Sequence, residues 1–146
     1  TVDPQALDKA VATLSSAHMI HIVGLRRSFP VASYMAYAFE KMGVPAMLHS
    51  VVGRLDDQHA IRDGDALLAI TFSPYSAETI DLVEQVSGRG IPVVAVTDTA
   101  VSPLRRFDAI ALSVSEVDFG AFRSLSATLC LAITLSVAVG TARQDG

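Results

Sequence analysis

Short apolar segments alternate with amphipathic segments along the chain, and this alternation restricts the fold more than any other feature. The apolar segments are rich in Val, Ile, Leu and Ala and run for only a few residues, which is typical of strands buried on both faces of a parallel sheet. The segments between them have the length and patterning of helices. The sequence therefore predicts an α/β fold in which right-handed helical crossovers join parallel strands.

The predicted elements follow one another with short connections and no low-complexity linker. We expect strands at residues 18–23, 45–49, 67–72, 92–97 and 109–114. We expect helices at residues 8–16, 30–42, 77–87 and 122–142, with a short helical turn at 102–107. The chain of 146 residues, 1–146, is expected to form one domain without a disulfide or metal. Its expected architecture is a three-layer α/β/α sandwich with a five-stranded parallel sheet in the flavodoxin-like order 2-1-3-4-5.

Charge and hydropathy limit the partners of this chain. The net charge is −4 and only Lys9 and Lys41 are lysines, so the sequence predicts no direct binding to DNA. The N-terminus lacks a basic region followed by an apolar one, which favours the cytoplasm. Residues 125–139 are apolar but contain several Ser and Thr and fall short of the ~20 residues of a membrane span. We expect this segment to be a core helix at the interface of a homodimer or larger oligomer, with Cys130 buried and inert.

A turn rich in hydroxyl groups follows the third predicted strand. Thr71, Ser73 and Ser76 lie within six residues, and a helix is expected to begin at Ala77. The first turn of a helix has unpaired backbone N–H groups and the positive end of the helix dipole, both of which favour an anion. The sequence therefore predicts a phosphate site at this turn.

A second turn of the same kind follows the first predicted strand and runs from Gly24 to Ser28. In the expected strand order, the first and third strands are neighbours, and the crevice at their carboxyl ends is the usual ligand site. A dinucleotide is disfavoured because Arg26 stands where the second Gly of a GxGxxG motif would be needed. We expect one phosphorylated ligand to be held between the two turns.

The order and spacing of these motifs, from about residue 6 to residue 142, resemble those of a SIS (sugar isomerase) domain. The resemblance is closer to the sugar-phosphate-sensing half of RpiR-type bacterial transcription regulators. It is carried by Gly24, Ser28, Ala32, residues 71–76, Glu78, residues 94–98, Ser102, Pro103, Leu104, Arg123 and Ser124. It implies a domain that binds a phosphosugar, usually as a dimer. It also implies DNA binding through a separate N-terminal helix-turn-helix domain, which is not in this chain.

The turn after the third predicted strand departs from the common SIS pattern, because Pro74 stands where Gly is usual. Proline removes one N–H donor from the turn. Tyr75 and the guanidinium groups of Arg26 and Arg27 are expected to offset this loss. An arginine pair would also suit a ligand with a second anionic group, such as a phosphorylated sugar acid.

Seven side chains are therefore candidate ligand-binding residues, and most of them have a structural alternative. They are Arg26, Arg27, Ser28, Ser73, Tyr75, Ser76 and Thr79. Ser28 and Ser76 also stand where a helix N-cap is expected. Thr79 could equally fill the first helical turn, and at least one of the two arginines is expected to be a solvated surface residue.

No pair of acid and base residues stands out beside these turns, so the sequence favours a sensor without catalytic residues, metal or cofactor. A phosphosugar isomerase would need a base within reach of the sugar carbons. The best candidates are Glu116 and then His59, and neither has a recognisable partner. An aldose–ketose isomerase is the alternative prediction, and a dimerisation module with an inactive pocket is a third.

Overall fold

The computed structural model describes residues 2–50, 59–98, 103–116 and 124–145. The strands are β1 (Ile20–Gly24), β2 (Ala46–His49), β3 (Ala66–Ile70), β4 (Val93–Thr97) and β5 (Ile110–Ser113). The helices described are α1 (Pro4–Ser15), α2 (Phe29–Lys41), α3 (Ala77–Gly88) and α4 (Ser126–Asp145). Short 3-10 turns are formed by Arg26–Ser28 and Pro103–Phe107.

All strand pairs are parallel, and their order is β2-β1-β3-β4-β5, as predicted. Every residue of β1, β3 and β4 is buried, which explains why these strands read as continuous apolar runs. Gly24, the last residue of β1, is aligned with Ile70, the last residue of β3. The two turns predicted to hold a ligand therefore leave the sheet at the same level and side by side.

Helices cover both faces of the sheet, so the predicted three-layer sandwich is also confirmed. Alternate strand residues such as Ile22 and Leu68 pack under α1, α2 and α4. The intervening residues, such as Val23 and Leu67, pack under α3 and the turn at Pro103–Phe107. The turn after β1 opens into α2 and the turn after β3 opens into α3, so each leads into a different layer.

Two helices begin four residues away from their predicted starts. Helix α1 starts at Pro4 rather than residue 8, because Asp3 acts as its N-cap and accepts a hydrogen bond from the Gln5 N–H at 3.0 Å. Helix α4 starts at Ser126, and residues 124–125 are not helical. Residues 122–123, where this helix was predicted to begin, lie outside the described residues, as does Ser102.

Helix α4 is buried on one side only within this chain, which corrects the expectation for Cys130 and leaves the expected subunit interface a prediction. Ile133 and Val137 are 44% and 54% exposed, so the helix is not covered on nearly all sides within this chain. Cys130 is exposed as well and is not the buried thiol that was predicted. Among the described residues, α4 alone is long and apolar enough to span a membrane. An apolar core helix passes the same test, and α4 packs against α1 and α2.

Candidate functional site

The turn after β1 is built around a close approach of the backbone to α2. A Cβ on Gly24 would lie 2.8 Å from the Ser28 carbonyl oxygen and 2.9 Å from the Ala32 Cβ, so only glycine fits here without displacement. Arg26 has a φ of 56°, in the left-handed region that non-glycine residues rarely adopt. Its side chain is exposed, whereas that of Arg27 is half-buried.

Ser28 ends this turn and precedes α2, but it does not cap the helix. Its backbone is in the helical region, and its side chain makes no N-cap hydrogen bond. The residue is only 3% exposed. The capping alternative for Ser28 is therefore wrong, while its role toward a ligand stays a prediction.

The turn after β3 ends in a true N-cap at Ser76. The Ser76 hydroxyl oxygen accepts a hydrogen bond from the Thr79 N–H at 3.4 Å and donates one to the Glu78 carboxylate at 2.7 Å. Thr79 is 1% exposed, and its own hydroxyl oxygen has no hydrogen-bond partner among the described residues. The capping role of Ser76 is thus real, and the side chain of Thr79 lies inside the first turn of α3.

The two turns are joined directly by Arg27. Its Nη2 donates a hydrogen bond of 2.6 Å to the Ser73 carbonyl oxygen, and its guanidinium lies 5.8 Å from the centre of the Phe72 ring. Charge-assisted hydrogen bonds of this kind are among the stronger ones in proteins. Arg27 therefore holds the turns together, whereas Arg26 is the solvated member of the pair.

Asp98, directly after β4, is a member of this cluster that the sequence reading did not single out as a site residue. One carboxylate oxygen accepts the Ser73 N–H at 2.9 Å, and the other accepts a hydrogen bond from the Tyr75 hydroxyl. Sheet order explains this, because β4 lies next to β3 and its carboxyl end opens on the same edge. An acidic residue immediately after a predicted neighbouring strand was the available signal.

Glu78 adds a second carboxylate to the site. The hydrogen bond from Ser76 is the largest cause that lowers the pKa of Glu78, followed by the bond from its own backbone N–H. The positive charge of Arg26 lowers this pKa further. Glu78 is therefore ionised near neutral pH and stands at the N-terminus of α3, where a negative charge is also favoured by the helix dipole.

The cluster brings together six of the seven predicted residues and leaves the seventh beside it. Arg27, Ser73, Tyr75 and Ser76 are linked to one another or to the two carboxylates, and Arg26 and Thr79 adjoin Glu78 and Ser76. Ser28 lies at the start of α2, one residue after Arg27. The arrangement offers guanidinium groups and the N-terminal N–H groups of α3 to an anion, while the hydroxyl groups of Tyr75 and Ser76 donate to the two carboxylates.

Neither candidate base for an isomerase is associated with this cluster. Glu116 accepts hydrogen bonds from the Ala127 and Thr128 N–H groups at 3.1 and 2.7 Å, so its carboxylate serves the N-terminus of α4. His59 is exposed, and it forms no hydrogen bond with either turn among the described residues. Within the residues that the structure describes, no group of three His, Cys, Asp or Glu side chains is placed to hold a metal ion.

A buried polar cluster lies across β1 and β2, apart from the two turns. His21 Nε2 is 2.9 Å from the Asp65 carboxylate, and His21 Nδ1 is 2.9 Å from His49 Nε2. Burial is the largest cause that lowers the pKa of His21, so its ring is neutral near pH 7. A neutral ring that donates to Asp65 must accept at Nδ1, which makes His49 the donor of the second bond.

The fold and these turns define a doubly wound α/β domain with polar groups concentrated at the carboxyl edge of its sheet. The family model of the SIS domain matches residues 13–138. The chain therefore belongs to the SIS domain family, as its motifs indicated.

Solved structures of other proteins share the fold. The sugar isomerase domain of an RpiR transcription factor from Sphaerobacter thermophilus is 20% identical, with a TM-score of 0.91 over 99% of this chain and 82% of that one. Vibrio vulnificus NanR, solved with ManNAc-6P, is 24% identical, with a TM-score of 0.79 over 99% of this chain and 56% of NanR. A Methanococcus jannaschii protein with an inferred function of 3-hexulose-6-phosphate isomerase is 14% identical, with a TM-score of 0.70 over 97% and 77%. At these identities the likeness concerns the fold.

Proposed function

We propose that this chain is the phosphosugar-sensing domain of an RpiR-type bacterial transcription regulator and that it has no catalytic activity of its own. The observation that carries the proposal is the Arg27–Ser73 hydrogen bond, which joins the two helix-opening turns into one polar cluster. The structural likeness to a regulator domain and to NanR, which was solved with ManNAc-6P, supports the same proposal. In this proposal the ligand lies between the turns, and its phosphate takes the N-terminus of α3.

The proposed response passes through α2. A ligand that changes the turn after β1 acts on the first turn of α2, and α2 packs along α4 in the same core. Helix α3 packs on the opposite face of the sheet, so the turn after β3 contributes to binding and gives no direct path to α4. A sensor needs only that the ligand binds two arrangements unequally.

We propose that the second arrangement is read at a dimer interface formed by α4. Ile133 and Val137 form an exposed apolar stripe on this helix. A second copy of the chain would cover that stripe, and DNA binding would belong to a separate helix-turn-helix domain in the cytoplasm. Val137→Glu should lower the mass measured by light scattering. Tyr37→Glu, which places the same charge on an exposed position of α2, should not.

Ligand binding is tested by calorimetry and thermal shift with a panel of phosphosugars. The double variant Ser73→Ala with Ser76→Ala should weaken a bound phosphosugar by about 1–3 kcal/mol, or roughly one to two decades in Kd. Because Ser76 is also an N-cap, Asp3→Ala serves as a control that removes the cap of a different helix, α1. Equal affinity in the double variant and the wild type would show that the turn after β3 is not part of the site.

Catalysis is tested by isotope exchange. An isomerase moves a proton between adjacent sugar carbons, so it would incorporate solvent deuterium beside the carbonyl group. A phosphosugar that raises the melting temperature should show no such incorporation during long incubation. Incorporation that is lost in Glu116→Gln or His59→Ala would overturn the sensor proposal in favour of an isomerase.

A further inference from the structure

The positive charges of the site are already matched by negative ones. Among the described residues at this edge of the sheet, Arg26 and Arg27 are accompanied by Glu78 and Asp98. Arg27 is bound to the Ser73 carbonyl oxygen, and the charge of Arg26 acts on Glu78. Two arginines and two carboxylates together carry no net charge, so the arginine pair is not a surplus of positive charge that awaits two anionic groups.

The carboxylates also occupy donors that an anion would otherwise use. Asp98 takes the Ser73 N–H and the Tyr75 hydroxyl, and Glu78 takes the Ser76 hydroxyl. Pro74, between Ser73 and Tyr75, has no N–H to offer. What the turn presents beyond the helix N-terminus is thus a pair of acceptors, and acceptors bind hydroxyl or ammonium groups.

We propose that the site selects phosphorylated sugars whose other groups are hydroxyls or amines, and that Asp98 rejects phosphorylated sugar acids. This inference rests on the proposed function and narrows its ligand class. The single phosphate binds at the N-terminus of α3, and the rest of the sugar donates hydrogen bonds to Asp98. A second carboxylate on the ligand would face Asp98 and Glu78, which offset the charges of the two arginines, and like charges at short range repel strongly. The phosphorylated sugar acid that the arginine pair suggested is therefore the disfavoured ligand.

The test compares phosphorylated sugars with the corresponding phosphorylated acids. Calorimetry is run with glucose 6-phosphate, glucosamine 6-phosphate and 6-phosphogluconate, and with ribose 5-phosphate and its C1 acid. In each series the sugar or amino sugar should bind at least tenfold more tightly than the acid. If no phosphorylated compound binds, the proposed function fails and this inference fails with it. If an acid binds as tightly as its sugar or more tightly, only this inference is overturned.

A charge-removing variant locates the selection. Asp98→Asn keeps the size of the side chain and should improve binding of the sugar acid about tenfold while weakening or leaving unchanged that of the neutral sugar. Asp81→Asn is the matched control, because it makes the same chemical change at an exposed position of α3. Glu78→Gln should act in the same direction as Asp98→Asn. An unchanged ratio of acid to sugar affinity in Asp98→Asn, or an equal change in Asp81→Asn, would overturn the role of Asp98.

Discussion

The substitution Gly24→Ala tests most directly how the turn after β1 is packed against α2. The new Cβ would stand 2.8 Å from the Ser28 carbonyl oxygen and 2.9 Å from the Ala32 Cβ. Carbon atoms in good contact are about 3.5–4.0 Å apart, so the first turn of α2 must move by roughly 0.6–1.1 Å. Both obstructing atoms belong to the backbone or are fixed to it, and neither can rotate away.

The expected cost follows from these distances. Overpacking of this kind destabilises by about 1–3 kcal/mol, and the loss of chain entropy in the unfolded state returns about 0.4–1 kcal/mol. We expect a net loss of about 1–2 kcal/mol, which corresponds to a fall in Tm of roughly 2–8 °C for a domain of this size. The assay is thermal unfolding followed by circular dichroism, with urea unfolding as a second measure. Phosphosugar affinity should fall as well, because the turn carries Arg27 and Ser28.

Gly88→Ala provides the matched control. Gly88 is the last residue of α3, and a Cβ there would meet no atom within 4 Å. The same substitution should leave stability unchanged or raise it by about 0.4–1 kcal/mol. Equal Tm changes in the two variants, or a Gly24→Ala protein as stable as the wild type, would refute the close-packing argument.

Two further predictions concern groups away from the turns. Burial lowers the pKa of His21, so below pH 6.5 this ring binds a proton in the unfolded chain and not in the folded one. The free energy of unfolding should therefore fall as the pH drops from 6.5 toward the pKa of the folded protein. Urea unfolding between pH 7.5 and pH 5 measures this, and the slope should flatten in His21→Gln but persist when the exposed His18 is changed to Gln. Glu116→Ala should destabilise the protein by about 0.5–2 kcal/mol, since its carboxylate binds two N–H groups of α4. Glu84→Ala, on an exposed face of α3, should change thermal stability little, and equal losses would contradict the proposed role of Glu116.

The fold could be predicted because its determinants are local. Buried strands such as β3 and β4 appear as uninterrupted apolar runs, and the helices between them make parallel pairing and the strand order the natural result. The start of α1 was predicted too late, although Asp3 followed by Pro4 is a readable signal for a helix N-terminus. Local patterns did not show which face of α4 would be covered within the chain, so the burial of Cys130 was misjudged.

The candidate site was only partly predictable, for a different reason. The turns themselves could be located, because each follows a strand and opens a helix. Their partners could not, since Asp98 reaches Ser73 from 25 positions along the chain and Arg27 reaches it from 46. The two carboxylates changed the inferred ligand class, because their negative charges offset the arginine charges that had suggested a second anionic group on the ligand. Contacts between distant segments depend on strand register, which a single sequence does not specify to one residue.

The buried histidine pair has a consequence for that register. His21 in β1 binds both His49 at the end of β2 and Asp65 just before β3, so a single ring ties three segments together. If β1 slipped by one residue, His21 would enter the apolar layer that holds Ile20 and Ile22, and both of its partners would lose their bonds. Strands made of similar apolar residues can pair in several registers at similar energy. The hydrogen bonds of His21 with His49 and Asp65 can form in only one register. We expect a version with all three positions made apolar to keep its stability and lose its unique strand alignment, visible as multiple sets of amide resonances for β1 and β2.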